Sequence, residues 1–562
     1  MPSGRVRLLP RPENIPDGQR LGKVIGWLRR RAAEADKIAW AVAAVGFGLY
    51  LTLTLARWHR QEAPSLDLAI FEQAVKGWAH FGWPIVDIKG PGANQLGDHF
   101  SPILALLGPF YRLFPSPVTL LVAQCVLVAL SIVPITALAR RRVGKWSGIC
   151  LGVAYTLSWG LQTGVDAQFH EYAFAVPMIA FALAAAVDQR WGAAAAWAAA
   201  TLAVKEDMGL TVMAFGAVMA GHGWWLHRRA AVGRTGADLP ERGGARHAGT
   251  GAVQTALPAG ATAKAAAGRS SREEQWDSDS WATQVRVGLA LAGAGLVALI
   301  LVFGLIMPAF KGGSWYYWDK VDQTSGPLGL IVGILQPAVK LKTLAMVSAV
   351  VMGTCWFSRW SLVAAPTLLW RFASTDSAHW GTAWHYSMIL MPMVFVAAID
   401  ALGRWRARVP EPAADGVVKA GPRRRWRHGI VPVVAVASLV FALVTTAWFP
   451  LAGLVKRASY QGSPRAEQAA RVLAAIPPGA SVASDRGLIT QLATDHTVYW
   501  IGDYPDQVEP EYVLLDPISG WSGDPGAADR YAESVYGGDY EPVSGIVEPG
   551  DASGYRLARR LP

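Results

Sequence analysis

Apolar blocks of membrane-spanning length recur along this chain, and no other feature restricts its fold as tightly. The runs Ile38–Ala56, Val118–Ala139, Val285–Met307 and Val431–Phe449 each match about 30 Å of bilayer hydrocarbon at about 1.5 Å per helical residue. Of the 562 residues, 52% are hydrophobic and 25 are Trp, so the chain reads as an α-helical polytopic membrane protein. The formal charge of +11 would point to nucleic acid in a soluble protein. Here the Lys and Arg gather in particular loops between spans, which makes anionic lipid the partner and excludes nucleic acid.

Those basic loops also set the topology. Arg29, Arg30, Arg31 and Lys37 precede the first span, so residues 1–37 form a cytoplasmic basic tail, with no apolar core or cleavage site of a signal peptide. The next loop, 57–116, then lies outside. Arg140, Arg141, Arg142 and Lys145 mark an inner turn, as do His227, Arg228 and Arg229. Asp166, His170 and Glu171 fall in an outer turn, and Lys205, Glu206 and Asp207 lie at or just below the outer face. Residues 228–280 are rich in Ala, Gly, Arg, Ser and Thr, which predicts a disordered cytoplasmic linker between membrane segments 38–227 and 281–450.

Beyond the linker, Gly329–Val339 reads as an interfacial helix, Thr343–Phe357 and Ser361–Trp370 as a pair of spans, and Met388–Leu402 as a further one. The total is about eleven spans, which puts the chain ends on opposite sides. After Pro450 the pattern turns soluble: Ala466, Ala469, Ala470, Leu473 and Ile476 make one helix face, followed by the short runs SVAS, TVYWI and EYVLLD. Residues 451–562 are therefore expected to form a small extracytoplasmic α/β domain. Cys125, Cys150 and Cys355 sit inside apolar runs and supply neither a disulfide framework nor a zinc site.

The polar stretch with the greatest chemical content runs from Ser65 to Pro102. It places Asp67, Glu72, Asp87, Asp98, His80 and His99 close to a membrane surface, where ionisable groups mark functional sites. Leu68, Phe71, Ala74, Val75 and Trp78 recur at helical spacing, which predicts a surface helix with Asp67 near its start.

The motifs LDLAIFEQ, GDHFSPILALLGPFYRLFPSP, FHEYAFAVP, AVKEDMGL and HYSMILMPMVF, in that order, resemble the bacterial integral membrane family known as domain of unknown function 2079. That family in turn resembles the polyprenyl-phosphate-dependent glycosyltransferases of the C-type membrane fold. The resemblance implies a glycosyltransferase-C-like core and transfer of a sugar from a polyprenyl-phosphate donor to a cell-envelope glycan, lipid or protein at the outer face of the plasma membrane. It also implies an essential Asp in the first outer loop, where Asp67 stands. Those enzymes commonly follow that Asp with a second acid, whereas Leu68, Ala69 and Ile70 stand here. The catalytic acid thus remains open among Asp67, Glu72 and Asp98.

Such a transfer needs a base for the acceptor hydroxyl and cations for the leaving phosphate. Asp67 is the first candidate base. Lys205, Arg371, His170 and His385 are candidates for the phosphate, and His99, Glu171, Glu206 and Tyr386 belong to the same outer set. Plainer roles compete: Asp67 as a helix N-terminal partner, Asp98-His99 as a turn, His170-Glu171 as a structural pair, Trp315, Tyr316, Tyr317 and Trp318 as an aromatic belt. His170-Glu171 lacks the second His of a zinc-protease motif. Asp98, His99, His170, Glu171, Glu206 and His385 would lie on one side and suit a divalent ion, but their spacing carries no metal signature, so the cofactor stays unknown. A transporter or flippase of envelope precursors is the alternative, and a non-catalytic scaffold a third reading. Transporters favour internal repeats and broken helices near mid-membrane, whereas the ionisable residues here collect at span ends.

The charge bias makes a direct prediction. Topology reporters fused at Thr262 and at Pro562 should report opposite faces of the membrane; one face for both would overturn the odd span count.

Overall fold

The structure is a computed structural model that describes residues 36–62, 65–237, 260–311, 333–334, 336–407, 422–545 and 554–562. Helix α1 (Lys37–His59) begins at Asp36, whose Oδ1 accepts from Ile38 N and Ala39 N at 3.1 Å. The helix predicted after it is present as α2 (Leu66–Ala79), capped by Ser65 Oγ on Leu68 N at 3.1 Å. The membrane part continues through α3 (Pro117–Val143), α4 (Lys145–Thr156), α5 (Trp159–Asp166), α6 (Tyr172–Val187), α7 (Trp191–Ala200), α8 (Met208–Ala237), α9 (Gly260–Leu301), α10 (Ala338–Ala349), α11 (Ala365–Ala373), α12 (Leu390–Ala407) and α13 (Pro422–Thr446).

Among the described residues five helical stretches are long and apolar enough to cross a membrane: Lys37–His59, Pro117–Val143, Trp281–Lys311, His385–Ala407 and Gly429–Thr446. The fourth is the central post, with 94% of its apolar window buried, whereas 17% of the window is buried in Trp281–Lys311, the stretch with most surface left for lipid. The other expected crossings differ in form. The expected span Trp146–Leu161 divides into α4 and α5 where Ser158 turns extended. Thr343–Phe357 does not run as one helix, because Met352 and Gly353 adopt positive φ (51° and 67°), which a right-handed helix cannot continue through. The stretch expected to be a disordered linker carries helical backbone at both ends, in α8 to Ala237 and in α9 from Gly260; 238–259 lie outside the described residues. So do Trp315, Tyr316, Tyr317 and Trp318 and most of the expected interfacial helix Gly329–Val339.

After α13 the chain builds an α/β unit from α14 (Pro464–Ala474), β1 (Ser481–Ser484), α15 (Ile489–Ala493), β2 (Thr497–Trp500), β3 (Tyr512–Leu515), α16 (Ala528–Tyr536), β4 (Tyr540–Pro542) and β5 (Arg556–Arg560). The sheet order is β2-β1-β3-β5-β4, with β2, β1 and β3 parallel and β5 antiparallel to both neighbours. The unit sits on α2: Thr490 Oγ1 donates to Ser65 O (2.8 Å), Gln73 Nε2 to Val498 O (3.2 Å) and Lys76 Nζ to Thr494 O (2.7 Å). These bonds fix α2 from above while its apolar face packs below.

The turn that carries Lys205, Glu206 and Asp207 is anchored by α8, which lies against α9 through glycines. A Cβ on Gly216 would meet Ala292 N at 2.4 Å, and one on Gly288 would meet Ala220 N at 2.6 Å; small residues of this kind let membrane helices approach closely. Gly216→Leu or Gly288→Leu should therefore lower the melting temperature in detergent, with an overpacking cost of about 1–3 kcal/mol. Gly293→Leu, where no atom lies within 4 Å of a new Cβ, should leave it unchanged.

Candidate active site

Asp67 lies in the first turn of α2, where the helix dipole favours a carboxylate, and its Oδ2 meets His170 Nε2 at 3.2 Å. Three elements hold that imidazole. Gln124 of α3 accepts from His170 N (3.1 Å) while its amide donates to Gly164 O and Val165 O (both 3.3 Å), which pins the loop after α5. Phe71, one turn along α2 from Asp67, packs edge-on against the ring (centroids 5.7 Å apart). His385, at the head of the central post, stacks on it at 3.5 Å. His170 Nδ1 faces Gln168 O at 3.2 Å, so both ring nitrogens lie against oxygen atoms.

The Asp67 side chain is 54% exposed while His170 is buried. Enclosure by the surrounding chain raises the Asp67 pKa, but the hydrogen bond and charge of His170, with Lys89 and His99 further off, outweigh it and hold the carboxyl at about 2. Asp67 is thus ionised throughout the neutral range.

Beside it the three residues Lys205, Glu206 and Asp207 tie separate loops together. Lys205 Nζ bonds Glu171 Oε1 at 2.5 Å and lies over the Tyr172 ring. Glu206 accepts from Phe100 N (3.1 Å) and pairs with His99 Nδ1 (3.0 Å), and Tyr172 donates its hydroxyl proton to Asp207 Oδ2 at 2.8 Å. Burial works against the Lys205 charge, yet the carboxylates of Glu171, Glu206 and Asp207 hold its pKa above the ordinary lysine range. Asp98 pairs with Lys89 at 3.3 Å. Among the described residues, Glu171 Oε2, Asp207 Oδ1, Gln168 Oε1 and both ring nitrogens of His385 are buried here without a hydrogen-bond partner. Tyr386 is within electrostatic reach of Lys205, Asp67 and Glu171.

The structure therefore brings Asp67, Asp98, His99, His170, Glu171, Lys205, Glu206, His385, Tyr386 and, over the Tyr386 ring, Arg371 into one region, and sets Glu72 apart. Arg371, wholly buried, spends its guanidinium on the oxygens of its own loop: His379 O (2.8 Å), Gly381 O (3.0 Å) and Ser387 Oγ (3.2 Å). Glu72 occupies another face of α2, where its Oε1 accepts from Tyr111 Oη (2.8 Å) and Thr494 Oγ1 (2.5 Å). Among the described residues no three His, Cys, Asp or Glu side chains are arranged to hold a metal ion; the six residues considered for one are largely taken up in pairs.

Sequence reasoning missed the walls of the cavity onto which Asp67 opens. This space of about 430 Å³ is lined also by Arg57, Asp166, Gln168, Trp384 and Arg486. Arg57 pairs with Asp166 and donates to Glu62 O at 3.0 Å. Trp384 is 48% exposed and holds a positive φ of 65°, a strained conformation for a bulky side chain that recurs at binding sites. A second cavity of about 600 Å³ shares Arg57, Glu62 and Asp166 and runs along Leu53, Trp448, Phe449 and Leu454, with Arg60 and Lys456 on its wall. One signal for Arg57 was present: a cation directly after the first span, on the side the basic loops assign to the outside.

The fold has solved counterparts among membrane proteins of the C-type architecture. It is similar to the crystal structure of ArnT from Cupriavidus metallidurans bound to undecaprenyl phosphate, at 13% identity and a TM-score of 0.51, covering 95% of this chain and 98% of that one. A weaker likeness links it to the archaeal oligosaccharyltransferase AglB from Archaeoglobus fulgidus in complex with an inhibitory peptide and a dolichol-phosphate, at 11% identity and a TM-score of 0.41, covering 89% and 71%. No curated protein matches the sequence. The chain belongs to the predicted membrane protein family DUF2079, whose pattern it matches over residues 62–545.

Glu72 yields a pH prediction. Burial pushes its carboxyl up to about 8 from 4.5, against the hydrogen bonds of Thr494 and Tyr111 and the charge of Lys76. The folded state then holds this proton more tightly than the unfolded chain, so stability falls as pH rises from about 4.5 to about 8. Glu72→Gln keeps the oxygen that Tyr111 and Thr494 bond and removes the titration. Melting curves across that window should be flatter for E72Q than for the unmutated protein; superimposable pH profiles would count against a neutral Glu72.

Proposed function

We propose that the protein is a membrane glycosyltransferase that moves a sugar from a polyprenyl-phosphate donor to a cell-envelope acceptor at the outer face of the plasma membrane. The observation that carries this reading is the ionised Asp67 carboxylate, held by His170 and open to a cavity that adjoins a groove with one apolar wall of Leu53, Trp448, Phe449 and Leu454. An isoprenoid tail would lie in the groove beside Leu53, Trp448 and Phe449, with its phosphate toward the Asp67 cavity past Arg57 at the shared wall. The C-type fold, and the undecaprenyl phosphate bound to ArnT, support the same class of donor.

In the reaction the acceptor hydroxyl attacks the anomeric carbon of the donor sugar. The new bond from acceptor oxygen to carbon forms as the bond from carbon to phosphate oxygen breaks. Asp67 takes the hydroxyl proton, and polyprenyl phosphate leaves with the bonding electrons. His170 is a positioning residue: it fixes the carboxylate and keeps it ionised until the acceptor arrives. Sugar hydroxyls would find acceptors and donors in the unmet oxygen of Glu171 and the ring nitrogens of His385.

Asp67→Asn preserves shape and removes proton acceptance. In membranes supplied with a radiolabelled polyprenyl-phosphate sugar, it should lower turnover at saturating donor by about two to four powers of ten, with the melting temperature little changed. Asp98→Asn should act more on substrate dependence than on turnover. Full activity in D67N would remove Asp67 from the chemistry, loss in D98N alone would move the base there, and no turnover by the unmutated protein would favour a transporter of lipid-linked precursors.

A further inference from the structure

We propose that Arg486, carried by the C-terminal sheet unit, binds the phosphate of the lipid-linked substrate in the Asp67 cavity, so that this unit is a working part of the active site. The inference rests on the lipid-phosphate reading above and adds to it a residue more than four hundred positions away in sequence from the base.

The other cations near the cavity are already engaged. Arg57 is bound to Asp166 and Glu62 O, Lys205 to Glu171, and Arg371 to loop oxygens. Arg486 is exposed, lines the same cavity as Asp67, and makes no hydrogen bond or ion pair among the described residues. An exposed arginine on a soluble surface is ordinarily only solvated. Here its backbone is held as if for a ligand.

Arg486 directly follows Asp485 at the carboxyl end of β1, within the parallel part of the sheet. Buried Asp485 accepts from Gly487 N (3.1 Å), Asp516 N (2.6 Å) and Trp521 Nε1 (2.8 Å), which locks the turn on both sides of Arg486. Gly487 is fitted to the same lock, since a Cβ there would lie 2.3 Å from Asp516 Oδ2. The space outside the carboxyl ends of parallel strands is where α/β folds bind ligands, and here the turn at that end opens onto the cavity of Asp67. Four residues on, Thr490 Oγ1 bonds Ser65 O, the cap of the helix that carries Asp67. The turn that carries Arg486 and the helix that carries Asp67 are therefore tied through one hydrogen bond, and a planar guanidinium fork matches a phosphate with paired bonds.

The test uses the purified full chain and two probes with the same tail, undecaprenyl phosphate and undecaprenol, with affinities read from thermal-shift titrations. Arg486→Ala should weaken binding of undecaprenyl phosphate by about tenfold to a hundredfold and leave undecaprenol unchanged. Arg486→Lys should fall between, because it keeps the charge and loses the fork. Unchanged binding of undecaprenyl phosphate by R486A, while the unmutated protein still prefers it to undecaprenol, would overturn the role of Arg486 and leave the lipid-phosphate reading intact. Equal losses for both lipids would assign Arg486 to docking of the sheet unit and overturn the proposal. No preference in the unmutated protein would overturn both readings.

Discussion

Charges placed at the ends of apolar helices have to be paired, and this requirement organises the site. Removing an ion from water is costly unless a partner and hydrogen bonds meet it. The turn Lys205-Glu206-Asp207 meets the demand by reaching two other segments: Lys205 and Asp207 engage Glu171 and the hydroxyl of Tyr172 at the start of α6, and Glu206 engages His99 after α2. One tripeptide thus ties two segments near Asp67 to its own turn. Loss of either partner in the Lys205–Glu171 pair would leave a buried charge uncompensated, which typically costs about 3–5 kcal/mol. The polar cluster is as much the scaffold of the region as its chemistry.

Much of this was legible in the sequence because its signals are local. Leu68, Phe71, Ala74, Val75 and Trp78 at helical spacing predict a helix with Asp67 near its start, and α2 is that helix, though Leu68 to Val75 are buried on all its faces. Charged tripeptides at the ends of apolar runs flagged Lys205 to Asp207 and His170-Glu171. Partner choice was not legible, since Asp67 and His170 are 103 residues apart and nothing in either motif names the other. Glu72 shares the acid loop with Asp67, but the cover over its face comes from Thr494, and no local pattern announces a cover four hundred residues downstream. Helix continuity was not legible for a related reason. Hydropathy registers apolar content and is blind to a left-handed pair such as Met352 and Gly353, which divides an apolar run into shorter helices.

Arg486 and Trp384 escaped the sequence for the converse reason: each looks ordinary where it stands. Arg486 sits in a turn of a soluble pattern, and Trp384 in a loop already rich in aromatics. What distinguishes them is the cavity they share with Asp67, a property of the assembled chain. The docking of the sheet unit on α2 adds Arg486 to the wall of that cavity, and the same contact covers Glu72. One interface therefore reaches both the site and its neighbouring acid.

The two carboxyls of α2 show how far that environment reaches. They lie five residues apart on one helix, yet Asp67 is held at about 2 and Glu72 at about 8. The first faces an imidazole and open space; the second faces hydroxyls under a cover. A carboxylate held at about 2 is a weak base toward a free alcohol. In displacement at an anomeric carbon, however, the acceptor hydroxyl turns acidic as its oxygen bonds to carbon, so the proton moves late and downhill. What the proposed transfer would then require is a carboxylate that remains charged and in place while the acceptor enters, and the His170 contact suits both needs. Glu72, held neutral below about 8, would add no second negative charge to the approach of the proposed donor.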